Sequence, residues 1–223
     1  MGDHFTPKVA AVFKLQFQEQ PPEEGLHQAD PGEAGDKHWP RCRLTVLIGS
    51  LLIAPERRST DEARSIHTPL AWHYTIAMYL PAIIESGVLR PATANVPANE
   101  RPVVWFSMNQ DFEVTARKRW RDLEGNERAL SVAETALRGG GLVRLGIEPR
   151  RLLNGDKLRR AARISSETWR ALCAAGRKEG ADPTDWFGHV GEISVFGLAV
   201  AHRMTISSEW QSGLPPCEAL QTS

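Results

Sequence analysis

Trp72-His73-Tyr74-Thr75, then Leu80-Pro81-Ala82-Ile83-Ile84-Glu85-Ser86-Gly87-Val88-Leu89, then Pro102-Val103-Val104-Trp105-Phe106-Ser107 form the run on which the fold assignment turns. The first piece reads as the end of a polar strand flanked by aromatics. In the second, Leu80, Ile83 and Ile84 recur at helical spacing on one face. Gly87 stands where a helix C-terminus favours a left-handed residue. The third is an apolar strand, Val103 to Phe106, closed by the hydroxyl of Ser107. A His and a Ser distant in sequence are thereby expected at the ends of two neighbouring strands, an arrangement from which a ligand cleft is built.

Downstream of this run, Asn109 to Leu123 is expected to be helical, with Thr115-Ala116-Arg117-Lys118 at its centre. Gly139-Gly140-Gly141 breaks the chain before the alternating strand Leu142 to Ile147. Ser165 supplies N-cap chemistry for a helix running through Trp169, Leu172 and Cys173 toward Lys178, with Glu167 in its first turn. Asp182 to Gly188 reads as a turn with aromatic anchors. Glu192 to Phe196 and Ala199 to Met204 follow as two short strands. Helices interspersed among strands without regular alternation predict an α+β fold.

Upstream, residues 1–67 are rich in Pro, Gly and acid, as in Pro21-Pro22-Glu23-Glu24-Gly25, and a flexible leader is expected there. The folded domain is placed at 68–211, with a C-terminal tail at 212–223. The apolar run Leu44 to Ala54 is too short to span a bilayer and too far from Met1 for an ordinary signal peptide. No membrane association is expected.

The 223 residues have a formal net charge of zero, which argues against a general polyanion binder. The charge is uneven, however: residues 101–178 hold 17 Lys or Arg against 9 Asp or Glu. Arg117, Lys118, Arg119 and Arg121 form one cluster; Arg150, Arg151, Lys157, Arg159, Arg160 and Arg163 form another. They read as solvated faces or as a groove for the phosphates of a nucleotide or nucleic acid. Cys42, Cys173 and Cys217 are odd in number and widely spaced, which suggests neither a disulfide framework nor a zinc site and points to a reducing cytoplasm.

Three residues carry the chemical expectation. His73, between Trp72 and Tyr74, can donate to a ribose hydroxyl while an aromatic face stacks on a ring. Ser107 is the second, though strands also end in Ser for turn chemistry alone. Glu192 is the third, a carboxylate among Val190, Gly191, Ile193 and Val195 that must cap, pair or act. A Ser107–His73–Asp triad lacks the Gly-x-Ser-x-Gly elbow of a hydrolase. His67, His73, His189 and His202 lack the short spacing of a metal site, so no metal is expected.

A strand carrying His73-Tyr74-Thr75, a helix ending Ile84-x-x-Gly87-x-Leu89, a strand ending Trp105-Phe106-Ser107, and Gly191-Glu192-Ile193-Ser194-Val195 together resemble the ADP-ribosyltransferase superfamily over residues 71–205. The resemblance implies a split, strongly curved pair of small sheets holding NAD as co-substrate between them. It implies that His73 contacts the adenosine ribose, with Tyr74 and Thr75 beside it, and that Ser107 stands at the family's second-strand Tyr or Ser. Glu192 would be the catalytic Glu. Two departures matter. The second strand has no terminal Tyr, so nicotinamide stacking would fall to Phe106, Trp105 or Tyr79. Position 190 is Val, which disfavours the arginine-targeting Glu-x-Glu form and favours base-directed members such as DNA-modifying toxins. Arg117 or Arg144 would neutralise the pyrophosphate. The implied partners are NAD, a nucleic-acid or protein target, and an antitoxin or inhibitor protein. Two alternatives stand beside this reading: an RNA 2′-phosphotransferase-like enzyme, and a non-enzymatic NAD- or nucleotide-binding domain.

Overall fold

The computed structural model describes residues 69–94, 96–121 and 125–215. The expected leader, the Leu44–Ala54 run, His67, Cys42 and Cys217 lie outside the described residues. In chain order the elements are β1 (Ala71–Ile76), α1 (Leu80–Ser86), β2 (Val88–Leu89), β3 (Val103–Ser107), β4 (Arg119–Arg121), β5 (Glu127–Ala129), α2 (Val132–Arg138), β6 (Leu142–Ile147), β7 (Leu153–Asn154), α3 (Gly155–Ala161), α4 (Ser166–Lys178), β8 (Trp186–Val190), β9 (Ile193–Ser194), β10 (Ala199–Arg203) and β11 (Gln211–Ser212). The fold is mixed α and β, and every strand pairing is antiparallel. No described helix is long and apolar enough to cross a membrane.

Seven strands form one sheet in the order β11-β10-β6-β1-β3-β8-β7. The sheet is thinnest at its centre. β1 and β6 are in register over the whole strand, from Ala71↔Ile147 to Ile76↔Leu142. β1 and β3 share the single register pair Trp72↔Ser107. β3 is again fully paired to β8, from Val103↔Val190 to Ser107↔Trp186. Two well-knit halves thus meet at one point.

Alternation along the strands separates two cores. Trp72, Tyr74, Ile76, Val103, Trp105, Leu142 and Trp186 face α3 and α4, packing on Leu158, Ala162 and Leu172. Ala71, Val104, Phe106, Val143, Leu145 and Ile147 face the other way, beneath Leu80 and Ile83 of α1, Leu89 of β2 and Ile193 of β9. The β2–β9 pair, Val88↔Ser194 and Leu89↔Ile193, is a small ribbon over this second face.

The local signals explain most elements. Pro81 lies in the first turn of α1, where its missing N–H costs nothing, and Gly87 closes the helix at φ 68° with its N–H on the Ile83 and Ile84 carbonyls. Ile84 departs from the expected apolar stripe and is exposed, because one turn suffices to cover the sheet and Leu80 and Ile83 fill it. Ser165 caps α4, its Oγ accepting from Thr168 N at 3.0 Å. The Gly139–Gly141 break does precede β6.

Residues 109–121, the described part of the stretch 109–123, are not the expected helix. They form a loop, a 3₁₀ turn at Val114–Ala116 and the short strand β4, which pairs with β5. Asn109 Oδ1 takes the Asp111 N–H and Glu113 Oε1 takes the Thr115 N–H, so side chains claim the amides that a helix needs. Of the expected strand Glu192–Phe196, only Ile193–Ser194 is extended and paired. The C-terminal limit expected at residue 211 falls inside β11, whose pairing His202↔Gln211 and Ala201↔Ser212 carries the sheet past it.

Candidate functional site

His73 lies in the middle of β1 rather than at its end, and it is buried. Its Nδ1 is 2.8 Å from the Trp105 carbonyl oxygen. A carbonyl only accepts, so Nδ1 carries a proton and donates it to Trp105. Nδ1 is thereby committed to the Trp105 carbonyl, and the expected donation to a ribose hydroxyl is not open to it. The ring stands edge-to-face against Phe106, centroids 5.8 Å apart. His73 and Phe106 face each other across the point where the sheet narrows. Thr75 shares their face and is buried.

The register sends the other candidates to the opposite face. Trp72↔Ser107 pairs place Ser107 with Trp72, Tyr74 and Trp105, away from His73. Tyr74 packs on Phe112 and donates its hydroxyl to the Asn109 carbonyl. Burial pushes its phenol well above the usual tyrosine range, partly offset by Arg144 beside it. Trp105 is enclosed between Trp169, stacked at 6.2 Å, and Trp186, edge-on at 6.1 Å. Phe106 is thus the member of the Trp105-Phe106-Ser107 trio on the face of His73.

Ser107 is completely buried. Its Oγ donates to Glu113 Oε2 at 2.8 Å and accepts the Asn109 N–H at 3.1 Å. Glu113, itself 2% exposed, also accepts from Thr115 Oγ1 at 2.7 Å. This buried carboxylate was not among the sequence candidates. Its signal is the spacing of Ser107, Glu113 and Thr115 after an apolar strand.

Glu192 lies between β8 and β9, just before the ribbon that packs on the His73 face. Its side chain is 58% exposed, and its Oε1 is 3.4 Å from Arg90 Nε. An ion pair this open contributes little to stability. On the same face, Phe187 of β8 is opposite Phe106, and His189 is opposite Val104. Both are half-buried, and their alternation within Phe187-Gly188-His189 is the sequence signal for a shared face.

Tyr79 bridges the two cores and carries the Lys118 ammonium 5.2 Å above its ring. Arg117 is committed elsewhere: its guanidinium pairs with Glu179 just past α4 and its Nε donates to the Val114 carbonyl. Arg144 is held between Trp72 and Trp210, at 4.1 and 4.3 Å. The basic clusters are neutralised only in part, four carboxylates serving six of their arginines. Arg119 and Arg121 share Glu127, Arg150 pairs with Glu148, and Arg159 and Arg160 share Asp156. No group of three or more His, Cys, Asp or Glu suited to a metal ion occurs among the described residues.

Compared with family models, with curated proteins and with solved structures, the chain has no significant match.

Proposed function

We propose that this chain is an NAD-consuming ADP-ribosyltransferase that modifies a macromolecular target. The observation that carries the reading is the narrowing of the sheet to one residue pair between β1 and β3, with His73 and Phe106 meeting across it. A ligand can enter a sheet only where the ladder opens. The resemblance implies a nucleotide held between two sheet halves, and the division here falls on the two strands that bear its first two motifs. The turn bearing Glu192 leads into the ribbon on that same face.

In this reading Nε2 of His73 accepts a ribose hydroxyl and the rings of Phe106 and Phe187 form an apolar wall. Glu192 accepts a hydroxyl of the nicotinamide ribose. As the C1′–N bond breaks, nicotinamide leaves as a neutral base with the bonding electrons, and positive charge spreads over C1′ and the ring oxygen. The carboxylate opposes that charge until a nucleophile of the target attacks C1′ and gives up its proton. Glu192 is exposed, so bound substrate must supply the desolvation that strengthens this interaction. Arg90 orients the carboxylate meanwhile.

The test is release of nicotinamide from NAD in the presence of DNA, RNA or protein, with transfer followed by mass. Glu192→Gln keeps the shape and removes the charge, and turnover is expected to fall by about 100-fold or more with little change in melting temperature. His73→Ala is expected to weaken NAD binding. Full turnover in Glu192→Gln, or no nicotinamide release by the wild type with any of the three target classes, would overturn the assignment. Release only with a 2′-phosphorylated RNA would identify the phosphotransferase instead.

A further inference from the structure

On the face opposite His73, four side chains stack in alternation: Trp72, Arg144, Trp210 and Arg203. Arg144 Cζ lies 4.1 Å from the Trp72 ring and 4.3 Å from Trp210; Arg203 Cζ lies 4.6 Å from Trp210. Stacking satisfies the guanidinium faces, but their edges need acceptors. Arg203 is the anomaly. Its side chain is 3% exposed, and its Nη1 donates to Asp111 Oδ1 at 2.7 Å and to the Ile206 carbonyl at 3.3 Å. Its Nε and Nη2 are buried with no acceptor, and so is Nε of Arg144. Nε and Nη2 form one edge of the guanidinium, the two parallel donors that clasp an oxyanion bidentately. The charge is also unbalanced. Two guanidiniums flank one indole, and among the described residues Asp111, 75% exposed, is the one carboxylate in an ion pair with either of them. Burial and the neighbouring Arg203 both pull the Arg144 guanidinium below its ordinary range.

An unpaired buried cationic fork costs more than a fold keeps for packing alone, since each orphaned donor loses its water without replacement. From this we infer that the Arg203–Arg144 ladder is an oxyanion-binding site for a phosphate group, separate from the face of His73. The phosphate, free or borne by a nucleotide, takes the Nε and Nη2 donors of Arg203 and the Nε of Arg144. The entrance lies at the Asp111 and Arg144 end, where the carboxylate is open to solvent and Arg144 is half-exposed. The covering indole of Trp210 is held by one side-chain hydrogen bond, Nε1 to the Asp111 carbonyl at 2.9 Å, on a segment without helix or strand between β10 and β11. Trp210 is therefore the side chain that yields to the incoming group. Phosphate is preferred over a carboxylate because its third oxygen can reach Arg144 while two engage Arg203.

The experiment titrates the intact chain with inorganic phosphate, with a nucleoside monophosphate and with a single-stranded oligonucleotide, while following the Arg Nε–H resonances. Thermal melts are run in parallel. Phosphate is expected to move the Arg203 and Arg144 Nε–H signals saturably. Above its dissociation constant, each tenfold rise in concentration should raise Tm by about 4 °C. The arm that saturates at the lowest concentration identifies the source of the phosphate. Arg144→Gln, half-exposed and expected to fold, should weaken binding by about tenfold for one charge-assisted hydrogen bond lost. Arg203→Lys keeps the charge but not the fork and should weaken it further. Sodium chloride at matched ionic strength giving the same Tm change, or resonances unmoved at about 100-fold the concentration of an ordinary millimolar ligand, would show that the ladder is structural and overturn the site.

Discussion

Replacing Glu113 with Ala tests whether Ser107 belongs to the architecture or to a ligand. The Glu113 carboxylate accepts three hydrogen bonds from buried groups: Ser107 Oγ at 2.8 Å, Thr115 Oγ1 at 2.7 Å and Thr115 N at 3.2 Å. Truncation orphans all three donors in a site where Glu113 and Ser107 are 2% and 0% exposed. Each lost bond is worth about 1 kcal/mol net, more where the acceptor is charged. The hydroxyls can rotate to other acceptors, and relief from burying a carboxylate offsets part of the loss. The expected cost is therefore about 3 kcal/mol, a fall of roughly 6–12 °C in a domain of this size. Glu113→Gln keeps one acceptor oxygen and should cost about 1–1.5 kcal/mol. Ser107→Ala combined with Glu113→Gln should cost less than the sum, because both remove the same bond. Urea denaturation with unchanged m-values is the assay. A Glu113→Ala protein within about 0.5 kcal/mol of wild type would refute the reasoning. Ser107 would then keep only the Asn109 N–H as a partner and would return as a candidate ligand contact.

Gly188→Ala is expected to destabilise by about 1–3 kcal/mol, because the added Cβ would lie 2.6 Å from Val103 Cγ1 and 2.9 Å from both methyls of Leu158; an unchanged urea midpoint would contradict the packing of α3 on β8. Gly87→Ala should cost about 1 kcal/mol through its φ of 68° alone, since Phe196 stands at an ordinary 3.5 Å from the new methyl. Glu134 closes the α2 capping box with Ser131 and bonds Arg128, which lowers its carboxyl from 4.5 to about 2. Its folded-state pKa is depressed, so its support is present above pH 4.5 and lost as pH falls toward about 2. Glu134→Gln should flatten the acid limb of a Tm-against-pH curve, and an unchanged limb would show the cap to be idle.

The elements that could be read from the chain are those fixed by near neighbours. Gly87 ends α1 because one residue must turn left-handed, and Ser165 starts α4 because its own hydroxyl meets Thr168 N. Both requirements are local and leave a residue-type signature. Ser131 followed by Glu134 carries the same kind of signature for α2, just ahead of the glycine break. Residues 109–123 defeated a periodicity argument for a different reason. Their apolar spacing is compatible with a helix, but Asn109, Gln110, Asp111 and Glu113 are each claimed by partners elsewhere: Tyr74, Trp72, Arg203 and Ser107. Arg203 is 92 positions from Asp111 in the chain, and no window of sequence contains that pairing. The narrowing of the sheet was equally invisible, because it depends on which residues of β1 and β3 stay in register.

That register also decides what the candidate site can be. A side chain's face in a sheet is set by parity, and a slip of one residue exchanges the two faces. With Trp72 opposite Ser107, His73 is opposite Phe106, and a ligand gripped directly by both His73 and Ser107 would have to pass through the sheet. Of the pair, Ser107 is already occupied by Glu113. The hydroxyl that looks like a ligand contact in sequence acts instead as the anchor of the loop after β3. That loop in turn holds Trp72 through Gln110 at 2.8 Å and Arg203 through Asp111 at 2.7 Å. Trp72 precedes His73 on the same strand, so the loop on one face fixes the strand that presents His73 on the other. Loss of Ser107 or Glu113 should therefore reach His73 only through stability and strand placement, and under the proposed NAD-consuming function KM for NAD should rise in step with the fall in Tm. Loss of Phe106 or Phe187 would act on the His73 face directly.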